Sequence, residues 1–238
     1  MKPVRINKFL ADAGICSRRK AEDLVIQGRV RINGKTATEL STRVDPARDS
    51  VHVDGSEVVS TTRKIYIVLN KPEGVISTSS DEMNRETVMD YVSEVGERLH
   101  YAGRLDADTS GLVFLTNDGD VSQKLSHPRG NITKTYTALV RGVPDSKSLR
   151  RLAGGIEIEN YRTLPADVRI VRKFNDSSEV EISISEGRKR QVRKMFEAIK
   201  HPVIKLKRTA IGEISLGRLK PGTYRHLRKE EMDFIIRL

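Results

Sequence analysis

The sequence predicts an α+β protein with two modules, a small helix-helix-hairpin module over residues 1–60 and a larger module over residues 65–238. The larger module should contain a mostly antiparallel, mixed β-sheet with flanking helices. Three observations indicate this arrangement. Within the first module, apolar residues at helical spacing are followed by residues that alternate between apolar and polar. A polar linker follows at 61–64. The later predicted strands are joined by irregular, loop-rich connections. A chain of 238 residues has room for two unequal domains.

Two helices open the first module. Their apolar faces are formed by Ile6, Phe9 and Leu10, and by Ala21, Leu24 and Val25. Gly14 and Gly28 follow the two apolar patterns, and glycine commonly ends a helix. Ser17 is a favourable N-cap for the second helix. The pattern predicts two short helices between residues 6 and 28.

A hairpin completes the first module. Val30–Ile32 alternates as a strand does, and Asn33-Gly34 after it is a strong two-residue hairpin turn. A further short strand is predicted at Val51–Val53, where Asp54-Gly55 ends it.

The second module begins with an apolar strand after the linker. Strands are predicted over 65–69, 111–116, 136–140 and 180–184, and the last of these alternates strictly. A helix is predicted over 189–200. Its buried face is formed by Val192, Met195, Phe196 and Ile199.

Composition narrows the function. The chain carries 43 Lys and Arg against 32 Asp and Glu, a net charge of +11, which favours a polyanionic partner such as nucleic acid. One cysteine cannot form a disulfide framework, and no Cys/His cluster has zinc-finger spacing, so we expect no metal site. No segment approaches the roughly 18 apolar residues of a membrane span, and residues 1–10 contain no secretory apolar run. We expect a soluble, cytoplasmic protein.

The positive charge is concentrated in two places. Residues 188–208 contain nine basic residues and one acidic residue, and they follow a predicted strand and a glycine turn, which favours a functional groove over a solvated helix face. The other cluster, Ser17-Arg18-Arg19-Lys20, lies at a predicted helix N-terminus. Backbone N–H groups there attract phosphate, and three cations oppose the helix dipole, so the cluster indicates binding of RNA or DNA.

The segment 103–112 holds the best catalytic candidates. It places Asp106 and Asp108 between two glycines, ahead of an apolar strand. From the residues alone, the two carboxylates either hold a metal or are solvated loop residues. No nucleotide-binding motif is present, and the five histidines are too scattered to indicate a metal site or a serine triad.

Several motifs in order resemble those of the RsuA/RluB/RluE/RluF family of pseudouridine synthases. Gly-Arg-Leu-Asp at 103–106, followed by Thr-Ser-Gly-Leu at 109–112, resembles the catalytic motif. Lys-Pro-Glu-Gly at 71–74, Lys-Thr-Tyr at 134–136 and the basic segment 185–196 resemble three further motifs. Residues 1–60 resemble the αL RNA-binding module of a small-subunit ribosomal protein. The resemblance covers nearly the whole chain.

The resemblance implies that a uridine in RNA is converted to pseudouridine. The C–N glycosidic bond breaks, the uracil rotates, and the base reattaches through carbon. Because the reaction involves no redox change and consumes no group, we expect no cofactor. The partner would be ribosomal RNA or a ribosomal assembly intermediate, bound by a monomer, and the target nucleotide must be flipped out of folded RNA.

The resemblance also implies roles for individual residues. Asp106 is the essential carboxylate, acting as nucleophile, as base or by stabilising a developing cation. Arg193 is expected to pair with Asp106, and Tyr136 to lie against the uracil ring. Asp108 is expected to stabilise its loop. The substrate pocket is expected to include Lys71, Pro72, Arg104 and Leu206.

The expected RNA-binding residues are mostly cations of the two basic clusters. In the first module they are Arg5, Lys8, Ser17, Arg18, Arg19, Lys20, Arg29 and Lys35. In the second module they are Lys134, Arg188, Lys189, Arg190, Lys194, Lys207 and Arg208.

Three alternatives stay open at this point. The first module favours the RluB branch, which acts on large-subunit rRNA, whereas the strand segments at 66–72 and 134–136 also fit the RsuA branch, which acts on small-subunit rRNA. A non-catalytic ribosome-assembly factor would share the charge pattern but would not need Asp106. A metal-dependent nuclease that uses Asp106 and Asp108 would require a divalent ion.

Overall fold

In the computed structural model, residues 3–59, 63–79, 81–127 and 130–238 are described. The chain divides into two compact units, Met1–Ile65 with Asn117–Gly119 and Tyr66–Thr116 with Asp120–Leu238. We call them the N-terminal unit and the C-terminal unit. Of the predicted linker 61–64, residues 61 and 62 lie outside the described residues, and residues 63 and 64 have no regular structure.

The N-terminal unit confirms the predicted helix-helix-hairpin arrangement. Its helices are α1 (Ile6–Asp12) and α2 (Arg18–Ile26). Its strands are β1 (Val4–Arg5), β2 (Val30–Ile32), β3 (Lys35–Thr36), β4 (Arg43–Val44), β5 (Val51–Val53) and β6 (Ser56–Glu57). Strands β3-β2-β5-β6 form an antiparallel sheet, and β1 pairs with β4. Asn33 and Gly34 both have positive φ, which is the geometry that the predicted hairpin turn requires.

The C-terminal unit is built on a nine-stranded sheet within the described residues. Strands in its first half are β7 (Tyr66–Lys71), β8 (His100–Ala102), β9 (Thr109–Thr116) and β10 (Lys134–Arg141). Later strands are β11 (Glu157–Ile158), β12 (Tyr161–Arg162), β13 (Asp167–Lys173), β14 (Ser177–Ile184), β15 (Val203–Ile211), β16 (Ile214–Ser215) and β17 (Tyr224–His226). The order across the sheet is β13-β14-β10-β15-β9-β7-β17, with β16 beside β15 and β8 beside β9, while β11 and β12 pair separately.

The sheet is mixed, as expected. Within the described residues, the β15–β9 pair is parallel and the other strand pairs of this sheet are antiparallel. The helices of this unit are α3 (Gly119–Ser126), α4 (Ser146–Ala153), α5 (Gln191–Ala198) and α6 (Lys229–Arg237), with a 3-10 helix at Asp90–Val95. One hydrophobic cluster joins Leu112 and Phe114 of β9 to Leu125 of α3 and Phe234 of α6. No helix of the described residues is both long and apolar enough to cross a bilayer.

One predicted helix boundary is wrong. The helix expected over 189–200 begins at Gln191, because Arg190 before it adopts a left-handed conformation with φ 53°. The Arg188 N–H donates to Gln191 Oε1 at 3.0 Å, which closes a turn ahead of the helix. Arg188, Lys189 and Arg190 therefore lie in this turn and not around the helix. The predicted buried face is confirmed, since Val192, Met195, Phe196 and Ile199 are buried.

Candidate active site

The loop before β9 presents Asp106 to solvent. The Ser77 hydroxyl accepts from the Leu105 N–H at 3.1 Å and donates to the Leu105 carbonyl at 2.9 Å. The Thr109 N–H then donates to the Asp106 carbonyl at 3.0 Å, which forms a tight turn. The backbone of Asp106 is thus held on both sides, while its side chain stays 44% exposed. A fixed backbone with an accessible carboxylate suits a group that must reach a substrate.

Arg193 does not pair with Asp106, so this expectation is wrong. Its Nη2 donates to the Asp108 carbonyl at 2.7 Å and lies 3.3 Å from Asp108 Oδ2. The reason is that Arg193 stands in the first turn of α5, where Nη1 also reaches the Val203 carbonyl at 3.4 Å. Arg193 therefore holds the loop through Asp108, which agrees with the expected stabilising role of Asp108.

Arg190 is the cation nearest to Asp106 among the ion pairs of the described residues. Its Nη1 lies 4.0 Å from Asp106 Oδ2 and 3.0 Å from Asp108 Oδ2. The left-handed backbone of Arg190 directs the chain into α5 at this point. Arg190 and Arg193 together tie the start of α5 to the loop that carries the two aspartates.

A basic cavity of about 760 Å³ opens beside Asp106. Among the described residues, eight cationic side chains line it against three carboxylates. The cations are Arg85, Arg104, Lys134, Arg188, Lys189, Arg190, Arg193 and Arg208, and the acids are Asp81, Asp106 and Glu186. A concave site with this excess of positive charge attracts a polyanion and fits part of an RNA strand.

The cavity also has an apolar wall made by the sheet. Tyr136 on β10 is opposite Arg208 on β15 and Ile182 on β14. Tyr136, Leu206 and Ile184 all line the cavity and are almost fully buried. The structure thus brings together Asp106, Tyr136, Arg104 and Leu206, which lie far apart in sequence. An aromatic ring beside a carboxylate can hold a flat base next to a reactive oxygen.

Lys71 and Pro72 do not line this cavity, which corrects their expected place in the substrate pocket. Lys71 is fully buried, and its Nζ donates to the carbonyls of Val75 at 2.6 Å, Pro72 at 2.9 Å and Ala107 at 3.4 Å. Burial lowers the pKa of Lys71 from 10.5 to about 8, although the nearby carboxylates, chiefly Asp108, oppose the shift. Lys71 therefore supports the Asp106 loop from behind, through Ala107.

The expected RNA-binding role of Arg208 suggested an exposed side chain, but Arg208 does not lie on the surface. It is only 4% exposed, and its Nε donates to the Leu112 carbonyl at 2.8 Å, because β15 lies in the interior of the sheet. Lys134 is half-buried and lines the same cavity. Lys207 is partly exposed on the opposite face of β15.

The basic turn before α5 is partly engaged with the protein. The Arg188 guanidinium stacks 3.9 Å from the centre of the Tyr161 ring, and Lys194 forms an ion pair with Glu159 at 2.6 Å. Lys189 is exposed at the cavity rim. Arg188 and Lys189 present charge along one edge of the cavity, whereas Lys194 lies in α5 and does not line it.

In the N-terminal unit the predicted cations lie mostly on the surface. Ser17 caps α2, where its Oγ accepts from the Lys20 N–H at 3.1 Å. Exposed side chains at or near this helix start and elsewhere in the unit are Arg5, Arg18, Arg19, Lys20 and Lys35. Three expected RNA-binding side chains have carboxylate partners. Lys8 pairs with Asp12 at 2.7 Å, Lys20 with Asp23 at 4.0 Å, and Arg29 Nε donates to Asp54 at 2.7 Å.

Sequence reasoning missed three features of the site. Ser77 fixes the Asp106 loop, Arg85 pairs with Asp81 at 2.7 Å on the cavity wall, and Glu186 accepts from Gln191 Nε2 at 2.6 Å. The Arg85 hydrogen bonds lower the pKa of Asp81 to about 2. Asp81 and Arg85 are four residues apart but lie outside any helix, so their spacing does not predict the pair, and no local pattern connects Ser77 to Leu105. The described residues contain no group of three or more His, Cys, Asp or Glu side chains arranged to hold a metal ion.

Comparison with known proteins agrees with the geometry. Residues 65–198 match the RNA pseudouridylate synthase family, and residues 4–49 match the S4 domain. An uncharacterized RNA pseudouridine synthase of Aquifex aeolicus is 44% identical over 98% of this chain and 93% of its own length. The ribosomal large subunit pseudouridine synthase B of Bacillus subtilis is 44% identical over 96% of this chain and 93% of its own length. A crystal structure of a pseudouridylate synthase superimposes with a TM-score of 0.68 at 31% identity, covering 98% of this chain and 99% of that one.

The predicted two-module fold and the predicted resemblance are therefore confirmed. The segment 103–112, which resembles the family's catalytic motif, lies in the part of the chain that matches the synthase family, and the small helical module lies in the part that matches the S4 domain. The chain belongs to the RNA pseudouridylate synthase family, whose members are isomerases that act on RNA, and it carries an S4 domain ahead of the synthase domain.

Proposed function

We propose that this protein converts a uridine of large-subunit ribosomal RNA to pseudouridine. The observation that carries the proposal is the Asp106 carboxylate, which is accessible at the wall of a basic cavity that Tyr136 also lines. The choice of RNA is supported by the full-length similarity to the Bacillus subtilis protein named ribosomal large subunit pseudouridine synthase B. Small-subunit rRNA is the alternative substrate.

The proposed roles follow from the positions of the side chains. Asp106 initiates cleavage of the glycosidic bond. Its carboxylate oxygen acts either as the nucleophile or as the base. Tyr136 packs against the flipped uracil, a contact that contributes roughly 1–3 kcal/mol. Arg193 is a positioning residue, because it acts on Asp106 through the Asp108 backbone and carboxylate. Arg104 and Arg190 hold RNA phosphates at the cavity wall. The isomerisation needs no redox partner, so we assign no cofactor.

We further propose that residues 1–60 tether the RNA while residues 65–238 carry out catalysis, with 61–64 as a linker. The family matches at 4–49 and 65–198 support this division. A tether raises the effective concentration of the target at the active site. We place the protein in the cytoplasm, as a monomer that acts on ribosomal RNA or an assembly intermediate.

The decisive experiment is tritium release from rRNA labelled at carbon 5 of its uridines, with chelator present. Reattachment through that carbon expels the label, whereas binding or strand cleavage leaves it on the base. We expect wild type to release tritium from large-subunit rRNA. Asp106→Asn should bind RNA normally and release none, because an amide cannot supply the carboxylate oxygen.

Controls separate the alternatives. Asp120→Asn removes a carboxylate of α3 that does not line the cavity, and it should keep wild-type turnover. Release from small-subunit rRNA alone would change the assigned substrate. Tight binding with no release from free RNA or assembly intermediates would favour an assembly factor. Full turnover in Asp106→Asn would refute the catalytic assignment.

A further inference from the structure

Arg208 lines the cavity and also carries an unsatisfied buried nitrogen. Its side chain lines the cavity and is 4% exposed, and its Nε is bound to the Leu112 carbonyl at 2.8 Å. Its Nη2 is fully buried and has no hydrogen-bond partner within the described part of the chain. Leaving a buried charged donor unpaired costs free energy, so such groups in native proteins usually serve a ligand or a water.

Lys134 is a second cation on the same face of the sheet. Lys134 and Tyr136 are two residues apart on β10 and therefore point the same way, and Tyr136 is directly opposite Arg208 on β15. Burial, with a smaller contribution from the Arg208 charge, lowers the pKa of Lys134. No carboxylate of the described chain forms an ion pair with either side chain.

The carboxylates that line the cavity are engaged elsewhere. Asp81 pairs with Arg85 at 2.7 Å, and Glu186 is bound to Gln191 and to the Leu164 N–H. Asp106 has Arg190 at 4.0 Å as its ion-pair partner. A buried Arg208 and a half-buried Lys134 therefore stand at the wall without an ion-pair partner among the described residues, which is costly unless a bound anion supplies the charge.

We propose that Lys134 and Arg208 form an internal binding site for a phosphodiester group of the RNA, next to the nucleotide that is isomerised. The inference rests on the proposed function, because the phosphodiester belongs to the RNA that carries the isomerised uridine. A phosphate has enough acceptor oxygens for both the Arg208 guanidinium and the Lys134 ammonium, whereas a neutral uracil carbonyl leaves the charge of the pair uncompensated. The pair thus recognises the backbone, and the Tyr136 ring recognises the base.

Binding of two small probes tests this directly. Uridine 5′-monophosphate and uridine share base and sugar and differ in the phosphate. We expect the full-length protein to bind the monophosphate about tenfold more tightly than uridine, measured by NMR titration at constant ionic strength. In Lys134→Met and in Arg208→Met the ratio of the two affinities should fall close to one, while uridine binding persists. Lys205→Met removes an exposed cation of the same strand and should keep the tenfold preference.

Thermal unfolding gives a second, independent readout. Because Lys134 lies beside Arg208 without a counter-ion among the described residues, Lys134→Met should raise the melting temperature in chloride buffer. Added inorganic phosphate should stabilise wild type more than Lys134→Met, since only the intact pair holds the anion. Lys134→Met also keeps the proposal testable if Arg208→Met fails to fold through loss of its bond to Leu112.

Three results would overturn the proposal. They are equal affinity of wild type for the two probes, an equal loss of affinity for both probes in the variants, or a melting temperature of Lys134→Met below that of wild type. Tritium release by wild type distinguishes failure of the anion-site proposal from failure of the proposed function. Release without a phosphate preference would remove the anion site alone, whereas absence of release from any rRNA would remove the assigned reaction.

Discussion

At the residue scale, two aspartates in one loop have different surroundings. Asp108 is tied to Arg190 and Arg193 at 3.0 and 3.3 Å, whereas Asp106 has Arg190 at 4.0 Å and remains 44% exposed. A carboxylate held by two guanidinium groups is suited to fix a loop, and one with a distant cation is free to meet a substrate. The same residue type thus serves structure at one position and, in our proposal, chemistry two residues earlier.

Lys71 gives a prediction about pH. Its pKa is lowered to about 8 in the folded protein from 10.5, so between these values the unfolded chain binds more protons than the native one. Stability from this group therefore rises with pH across that window and is flat below it. The free energy of unfolding of wild type should gain of the order of 1–3 kcal/mol relative to Lys71→Met between pH 7 and pH 10.5.

Chemical denaturation at a series of pH values measures this difference. The exposed-residue variant Lys205→Met should follow wild type throughout. A constant difference between wild type and Lys71→Met would show that Lys71 is charged in both states up to its ordinary pKa.

At the element scale, short elements are positioned by specific termini and close contacts. The helix α2 starts at the Ser17 cap, and α5 starts at a left-handed Arg190 and the Gln191 side chain. The sheet places its parallel pair, β9 with β15, directly after the Asp106 loop. These features decide where the Asp106 loop and the basic turn before α5 face each other.

The N-cap of α2 gives a prediction for the S4 domain. Ser17→Ala removes the acceptor for the Lys20 N–H and should destabilise α2 by about 0.5–2 kcal/mol. Hydrogen exchange of the amides of residues 20–26 measures this loss locally. Ser17→Asp retains a capping oxygen and should keep the protection, although its negative charge should weaken RNA binding. Unchanged protection in Ser17→Ala would contradict the role of the cap.

The β9–β15 pair gives a prediction about packing. A Cβ at Gly111 would lie 2.2 Å from the Arg208 carbonyl oxygen, and φ at Gly111 is +108°. Because Gly111 and Arg208 are paired across the two strands, neither backbone can move aside. Gly111→Ala should therefore lower the free energy of unfolding by about 3 kcal/mol or more. Gly103→Ala has a φ of +78° but no described atom within 4 Å of the added methyl, so it should cost only about 1 kcal/mol. Thermal unfolding compares the two, and similar melting temperatures would contradict the clash.

At the scale of the whole molecule, each unit has its own hydrophobic cluster. One cluster contains residues between Ile6 and Val58, and the other contains residues between Val68 and Ile235. Separate cores allow one unit to remain folded when the other is removed. We therefore expect RNA affinity and catalysis to be separable by deletion.

Deleting residues 1–60 should weaken RNA binding and leave the melting transition of the C-terminal unit nearly unchanged. The exposed cations of the deleted part contact phosphates in our proposal, so the slope of log affinity against log salt should also become shallower. Filter binding over a salt series, with calorimetry of both proteins, measures these effects. Equal affinity at matched salt would refute the tether.

Much of this architecture is local in origin. Ser17, Gly28 and Asn33-Gly34 act on neighbouring residues, so the S4 elements are readable in the sequence. The strict alternation of β14 likewise predicts its buried face, and buried and less buried residues alternate along it. The segment 103–112 is contiguous, which is why its resemblance to the family's catalytic motif is enough to single out Asp106 as the proposed carboxylate.

The sequence by itself determined the two modules and the excess of positive charge, and its resemblance to a known family supplied the residues proposed for the chemistry. Only the tertiary structure decided that Arg193 holds Asp108, that Lys71 lies behind the loop, and that Arg208 is buried in the cavity wall. The physical reason is distance along the chain. Arg193 and Arg208 meet partners 85 and 96 residues away, and such contacts are set by sheet register and packing, which leave no periodic trace in the sequence.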